Sequence, residues 1–541
     1  MPSRDIIRQL TGQTGSPQLL IRFGVALSNK RALPAAWMSA VDRSSVGAPL
    51  VLLTLCLGFE DLRPCRHDQR RAHSHRMEHL TMLDASFLQA EDSDPHVSLA
   101  VGGVSIVDGP PPDYGDLVSA FADRAQAIPR CTQVLHTHPF DLGAPEWVDD
   151  PHFDIAHHLH RVALPYPGDD AELFGLIASI MEQRLDRDRP LWECWIIEGL
   201  TGNRWALLMK IHHCIADGIA TAQMLAKLSD GGAGETFASS IRAAKGSGNS
   251  ILGLLRPRLN PLNWMNDIWR ATLAATSAAE HAVVGAAELT AHVLTAAPES
   301  SLNGPVTKMR RFSAARVDLA VMKQVCRDFD VTLNDVALAA ITSSYRTMLL
   351  DRGETPGPHA LRTLVPVSMR SADDFDVTDN RVSAMLPLLP VDEPDPVKQL
   401  EIVHRRLTEA KGSGQREGAS AVFAAAGSVP FAFSAWAIRL LTRLPQKSVT
   451  ALATNVPGPR GRQRVLGRDV LEILPVPPIA LHLRTGIAML SYADRFSFGI
   501  TADYDSAPDV DALARGIEDA VRRLAAVGIS QGHTSSMSTA G

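Results

Sequence analysis

Lys210-Ile211-His212-His213-Cys214-Ile215-Ala216-Asp217-Gly218 is the stretch around which the chain is organised. Arg204-Trp205-Ala206-Leu207-Leu208-Met209 precedes it as an apolar run of strand length. Ile219 to Leu228 follows, with Ile219, Met224 and Leu225 at helical spacing. The histidine pair therefore falls where a buried strand gives way to a helix, with Asp217-Gly218 at the start of that helix. If the strand continues through the pair, His213 shares a face with Ile211, Met209 and Leu207, and His212 points the other way. One imidazole then projects into a cleft while its neighbour packs or hydrogen-bonds elsewhere. An imidazole is the natural base for taking a proton from a hydroxyl or a thiol. Asp217 would hold the local geometry through a salt bridge or backbone hydrogen bonds. Gly218 removes a side chain where another chain or a ligand comes close.

Each part also has a purely structural reading, since adjacent histidines are usually surface or core residues. A metal site is not expected, because neighbours on a strand diverge and no third ligand lies at a helical or hairpin spacing nearby. Cys214 reads as a small buried filler rather than a nucleophile. The full His-His-x-x-x-Asp-Gly string is much more specific than the pair. It resembles the signature of the CoA-dependent acyltransferase superfamily, which includes chloramphenicol acetyltransferases, peptide-synthetase condensation domains and bacterial wax ester synthase/diacylglycerol acyltransferases.

At 541 residues the chain is long enough for two or three domains. It is 45% apolar and 21% charged, a globular composition, and its net charge of −6 gives no ground for a nucleic-acid partner. Six scattered cysteines without a C-x-x-C fit reduced thiols in a cytosolic protein. The longest apolar run, Leu50 to Leu57, is too short to cross a bilayer, so a cytoplasmic protein, soluble or peripherally attached, is expected. Residues 1–76 differ from the remainder, with 11 Lys+Arg against 5 Asp+Glu, where residues 77–541 carry 42 against 54. They end in Arg63 to Arg76, which has no apolar period. We expect a disordered extension or upstream translation there, with a basic membrane-targeting arm as the alternative.

From Met77 onward, strand-like and helical patterns alternate as in an α/β sandwich. Strand-like runs are Val97 to Ile106, Leu191 to Glu198, Phe312 to Val317 and Leu364 to Arg370. Helical runs are Asp116 to Ile128, Ala171 to Leu185, Val321 to Phe329 and Asp509 to Leu524. Ser229 to Ser250 is rich in Gly, Ser and Ala, and Leu262 to Ala296 is a long Ala-rich stretch, read as a crossover helix or an interfacial one. Thr332 or Asn334 is placed to cap the helix that follows. The segments expected are thus 77–228 with the histidine motif, 229–300 as linker and crossover helix, 301–525 as a second domain, and 526–541 as a disordered tail.

Several of these stretches, in this order, resemble the wax ester synthase/diacylglycerol acyltransferase family. They are Met77 to Leu88, Pro190-Leu191-Trp192-Glu193, Ser301 to Pro305, Asn334-Asp335, Leu364 to Arg370 and Thr454 to Pro459. Two departures stand out: Asp379 replaces a usual glycine before Asn380, and Leu481 to Gly486 replaces a Gly-rich approach to the last hairpin, a change that bears on the shape of the acceptor channel. The resemblance implies two chloramphenicol-acetyltransferase-like α/β sandwich domains with mixed sheets facing a central tunnel. It implies transfer from long-chain acyl-CoA to diacylglycerol or a long-chain alcohol, with no cofactor, at a membrane or lipid-inclusion surface. His213 would be the general base, with His212 supporting it and Asp217 and Gly218 structural. Asn334, Ser368 and Asn455 would be polar contacts to substrate. Rival readings are an acyltransferase fed by a carrier-protein thioester, against which Met77 to Leu88 and Asn455 to Pro459 argue, and a lipid-binding paralogue with an idle motif.

Overall fold

The computed structural model describes residues 78–138, 144–215, 221, 229–230, 300–368, 382–412 and 448–538, excluding the side chains at 78, 82, 367–368, 382–384, 411–412 and 531–538. Expectations for the first 76 residues, the linker and Ala-rich stretch, Asp217, Gly218, Arg370 and Asp379 lie outside the described residues. The first half contributes β1 (Glu78–His79), α1 (Met82–Ser93), β2 (Ala100–Asp108), α2 (Tyr114–Gln126), β3 (Gln133–His136), β4 (Glu146–Asp149), β5 (Leu159–Ala163), α3 (Asp170–Glu182), β6 (Trp192–Leu200) and β7 (Arg204–His212). The second half opens with β8 (Arg310–Asp318), α4 (Leu319–Phe329), α5 (Leu333–Asp351), β9 (Leu361–Ser368), β10 (Val382–Met385), β11 (Leu388–Leu389) and α6 (Pro396–Gly412). It closes with β12 (Ala451–Pro457), β13 (Arg464–Val465), β14 (Arg468–Val476), β15 (Thr485–Tyr492), β16 (Arg495–Asp503) and α7 (Val510–Ser538).

These elements build two α/β lobes on mixed sheets, as expected. In the first sheet the order is β13-β14-β2-β7-β6-β5, antiparallel except for the parallel β5–β6 pair. The main path of the second is β10-β9-β12-β15-β16-β8, with β12 parallel to both neighbours and β11 paired to β9. β7 lies inside the first sheet, and every residue from Trp205 to His212 is buried, which is why its sequence is apolar without alternation.

The lobes do not follow the boundaries drawn from sequence. β14, from the second half, pairs with β2 from Val470↔Val107 to Val476↔Gly102 and so completes the first sheet. β2 is buried at eight of its nine positions and needs a neighbour on that side. The chain leaving β14 then crosses the second sheet at close range. A Cβ on Gly499 of β16 would lie 1.6 Å from the Pro475 carbonyl oxygen, and one on Gly486 of β15 would lie 3.0 Å from that of Pro478. Only glycine leaves the room for that crossing.

Polar groups tie α3 to β8 at both ends. Arg316 donates to Asp170 (2.6 Å) and to both oxygens of Glu472 on β14 (2.9 and 3.0 Å). At the other end, the Arg310 N–H donates to Glu182 (3.0 Å). Local capping is as the sequence requires. Asp169 and Glu172 form a capping box on α3, and Thr332 and Asp335 form one on α5, so Thr332 rather than Asn334 is the cap. Trp192 is a packed strand-start residue, fully buried, its indole N–H donating to the Cys131 carbonyl (2.9 Å). The closing helix α7 runs to Ser538, beyond the tail boundary expected at 526. Gly528 lies inside it, where an added Cβ would sit 2.4 Å from the Asp328 carboxylate.

Candidate active site

The strand ends one residue earlier than a continuous run through the histidines would require. β7 stops at His212, and His213-Cys214-Ile215 form a turn. The turn is pinned on both sides: the His213 N–H donates to the Leu99 carbonyl just before β2, and the Ile215 N–H donates to the His212 carbonyl, each at 3.0 Å. His212 is buried, 1% exposed, while His213 is half-buried. The two imidazoles therefore diverge in environment, as a packed residue and a projecting one.

His212 sits in a buried charge network. Its Nδ1 accepts from the Cys214 backbone N–H at 3.1 Å, which places the ring proton of the neutral form on Nε2. Nε2 lies 3.4 Å from Glu91 Oε2 on α1, an ion-pair distance rather than a well-aligned hydrogen bond. Glu91 also accepts from Arg187 (2.7 Å) and from the Leu99 N–H (2.9 Å). Burial alone would push the Glu91 carboxyl up. The His212 contact, the Arg187 guanidinium and the Leu99 N–H overcome that and bring it down to about 2, so it is ionised at neutral pH. Two residues before His212 on β7, Lys210 is also buried, donating to the Ile180 carbonyl (2.9 Å) and lying 3.6 Å from Glu193. Burial lowers its ammonium from the usual lysine range, opposed by Glu193.

His213 has a different neighbourhood. The Phe87 ring, also on α1, stacks on it with centroids 4.0 Å apart and planes 16° apart. Phe87 packs in turn against a small apolar cluster of Ala90, Val97, Leu99, Val306 and Ile479. Ala90 to Leu99 come from the first lobe; Val306 precedes β8, and Ile479 lies on the crossing chain after β14. The imidazole thus stands beside an apolar wall built by both halves of the chain. Cys214, next to it, is 2% exposed, and burial pushes its thiol well above the usual range, so it is no thiolate nucleophile.

The remaining residues expected at the site are placed less closely. Asn334 is the second residue of α5, half-buried, its Oδ1 shielded and without a hydrogen-bond partner among the described residues. Asp335 is structural: it accepts from the Thr332 N–H (2.8 Å) and pairs with His404 Nδ1 (2.8 Å). Asn455 lies on the face of β12 shared by Ala451 and Ala453 of the second core, while the alternate Val456 faces the first core. Ser368 ends β9, its side chain outside the described residues. Sequence reasoning missed Glu91 and Phe87. The available signal was their i,i+4 spacing on one face of α1, an acid one turn from an aromatic.

Known proteins bear directly on this arrangement. The profile of the wax ester synthase/diacylglycerol acyltransferase catalytic domain matches residues 80–337, and that of the family's C-terminal domain matches residues 378–525. The probable diacylglycerol O-acyltransferase tgs1 of Mycobacterium tuberculosis is 53% identical over 451 residues, covering 83% of this chain and 96% of that protein. Among solved structures, the wax ester synthase/diacylglycerol acyltransferase of Marinobacter aquaeolei VT8 superposes with a TM-score of 0.57 at 25% identity, covering 84% of this chain and all of that one. The first condensation domain of the calcium-dependent antibiotic synthetase shares the fold, with a TM-score of 0.54 at 14% identity, over 84% of this chain and 97% of that one. With both domain profiles matched in order and a relative 53% identical over most of its length, the chain belongs to the wax ester synthase/diacylglycerol acyltransferase family.

Proposed function

We propose that the protein transfers a long-chain acyl group from CoA to the hydroxyl of a diacylglycerol, giving triacylglycerol and free CoA, with long-chain alcohols as further acceptors giving wax esters. The observation that carries this reading is the placement of His213: half-buried, beside an apolar wall from both lobes, with its neighbour held in a buried network. His213 takes the proton from the acceptor hydroxyl, and the oxygen attacks the thioester carbonyl directly. The tetrahedral oxyanion is met by donors, for which Asn334, Ser368 and backbone N–H groups are the candidates, with Asn455 as a further polar contact to substrate. As the intermediate collapses, His213 returns the proton to the departing thiolate. His212 and Glu91 hold the turn, Asp217 and Gly218 are assigned a structural rather than a chemical part, and the reaction calls for no metal or prosthetic group.

Lipid acceptors imply work at a lipid surface. Among the described residues no helix is long and apolar enough to cross a membrane, and we propose peripheral attachment to a membrane or lipid inclusion. Flotation of the full chain with liposomes tests that point, and recovery wholly in the lipid-free fractions would overturn it. For the reaction, the full chain is given labelled palmitoyl-CoA with diacylglycerol or hexadecanol, beside a His213→Ala control. Labelled triacylglycerol or wax ester that disappears in the control is the expected result. Well-folded protein that forms neither product refutes the reading.

A further inference from the structure

Helix α1 presents one residue to each histidine. Phe87 and Glu91 are one turn apart and share a face; Glu91 lies against the Nε2 edge of His212, and Phe87 covers one face of the His213 ring. We infer that Phe87 is a positioning residue for the base: its phenyl ring fixes the plane of the His213 imidazole. This rests on the reading of His213 as the base.

Three observations carry the inference. The planes lie within 16° at a 4.0 Å separation, so the contact is face to face over the ring rather than an incidental touch at one atom. A ring held that way cannot turn about its bond to Cβ without losing the contact. The Leu99 carbonyl holds the His213 backbone N–H, and the Phe87 ring adds a hold on the side chain. Phe87 itself is supported from behind by Ala90, Val97, Leu99, Val306 and Ile479. Because Val306 and Ile479 come from the second half of the chain, the orientation of the base depends on both lobes being seated.

A volume-filling role would be served by any apolar side chain of similar size. A plane-setting role needs a ring, and that difference is what the test reads. Phe87→Leu, Phe87→Met and Phe87→Tyr are assayed in the full chain with palmitoyl-CoA and diacylglycerol, alongside His213→Ala, with thermal midpoints for each. Leu and Met are expected to lower kcat by roughly 10- to 100-fold, the scale on which a misplaced catalytic group costs rate. Their KM for palmitoyl-CoA should stay within about twofold of wild type, because ground-state binding is not what the ring supplies. Tyr, which keeps the ring, is expected to recover most of kcat. Met stands in if Leu fails to fold, since its unbranched, flexible side chain adapts to the site without a flat face. Wild-type kcat in Leu or Met, or an equal loss in Tyr and Met at unchanged thermal midpoints, overturns the inference alone. An active His213→Ala variant removes the base reading on which it rests, and the two failures are thereby told apart.

Discussion

Replacing Glu91 by glutamine isolates the charge beneath the histidine turn. Glutamine keeps the volume and an oxygen for the Leu99 N–H, so no cavity forms and the backbone bond survives. What is lost is the negative charge facing His212 and Arg187. The Glu91 carboxyl falls from 4.5 to about 2 in the folded protein, which corresponds to about 3 kcal/mol favouring the folded state at neutral pH. Arg187 is 37% exposed and also bonds Asp92, so it can turn to water or that partner and soften the loss. The measurement is urea unfolding of wild type and Glu91→Gln, compared at several pH values. A carboxyl depressed on folding contributes stability that is complete above its unfolded value near 4.5 and is lost as pH falls through about 2. The gap between the two proteins should therefore be constant from neutral pH down to about 4.5 and close toward pH 2. Turnover should fall as well, because His212 anchors the turn that carries His213, the proposed base. Coincident unfolding curves at pH 7, or a gap that widens with acid, would refute the reasoning.

Other substitutions separate the remaining roles. Cys214→Ala should keep near-wild-type kcat, and iodoacetamide should not inactivate the native enzyme, since the thiol is buried and protonated; rapid alkylation with loss of activity would restore a nucleophile to consideration. Gly499→Ala drives a Cβ to 1.6 Å from the Pro475 oxygen, and we expect a cost above about 4 kcal/mol or insoluble protein, read by soluble yield and thermal midpoint. Gly175→Ala is its control: nothing lies within 4 Å of the added Cβ inside α3, so a gain of roughly 0.5–1 kcal/mol is expected in the same assay. Asp335→Ala removes the reciprocal cap of α5 and the His404 pair together, for a loss of about 1–2 kcal/mol in urea unfolding. His404→Ala, which leaves the cap intact, should cost visibly less.

What the sequence makes legible is whatever repeats at short range. β7 is an unbroken apolar run because both its faces are covered, and α3 announces itself through Asp169, Glu172 and an apolar stripe. The histidine motif is local too, so its position at a strand end could be read without knowing what stands opposite. The strand exchange was invisible for the opposite reason. Nothing within Arg468 to Val476 says which sheet it joins; that is decided by β2, more than 350 residues earlier, whose buried edge needs a partner. Gly499 reads in sequence as one small residue in a hairpin, and its need for glycine appears only when Pro475 passes over it. The early stop of β7 belongs with these, because Leu99 and not the local pattern sets where His213 turns.

The same distinction explains why the histidine turn could be read from sequence and its supports could not. Ionising a carboxylate in an apolar setting is costly unless partners are already in place. For Glu91 those partners are Arg187 and His212, roughly a hundred residues onward in the chain. The i,i+4 spacing of Glu91 and Phe87 on a short helix therefore does not say what the glutamate pairs with until the sheet has formed. Phe87 is a second instance, since its ring is backed by Val306 and Ile479 from the far half. Both residues gain their function through the crossing of β14 and the seating of α1 against β7. It follows that disturbing the crossing, as at Gly499, should impair turnover through misorientation of His213 even in whatever fraction still folds, although Gly499 lies on a different sheet from the histidines.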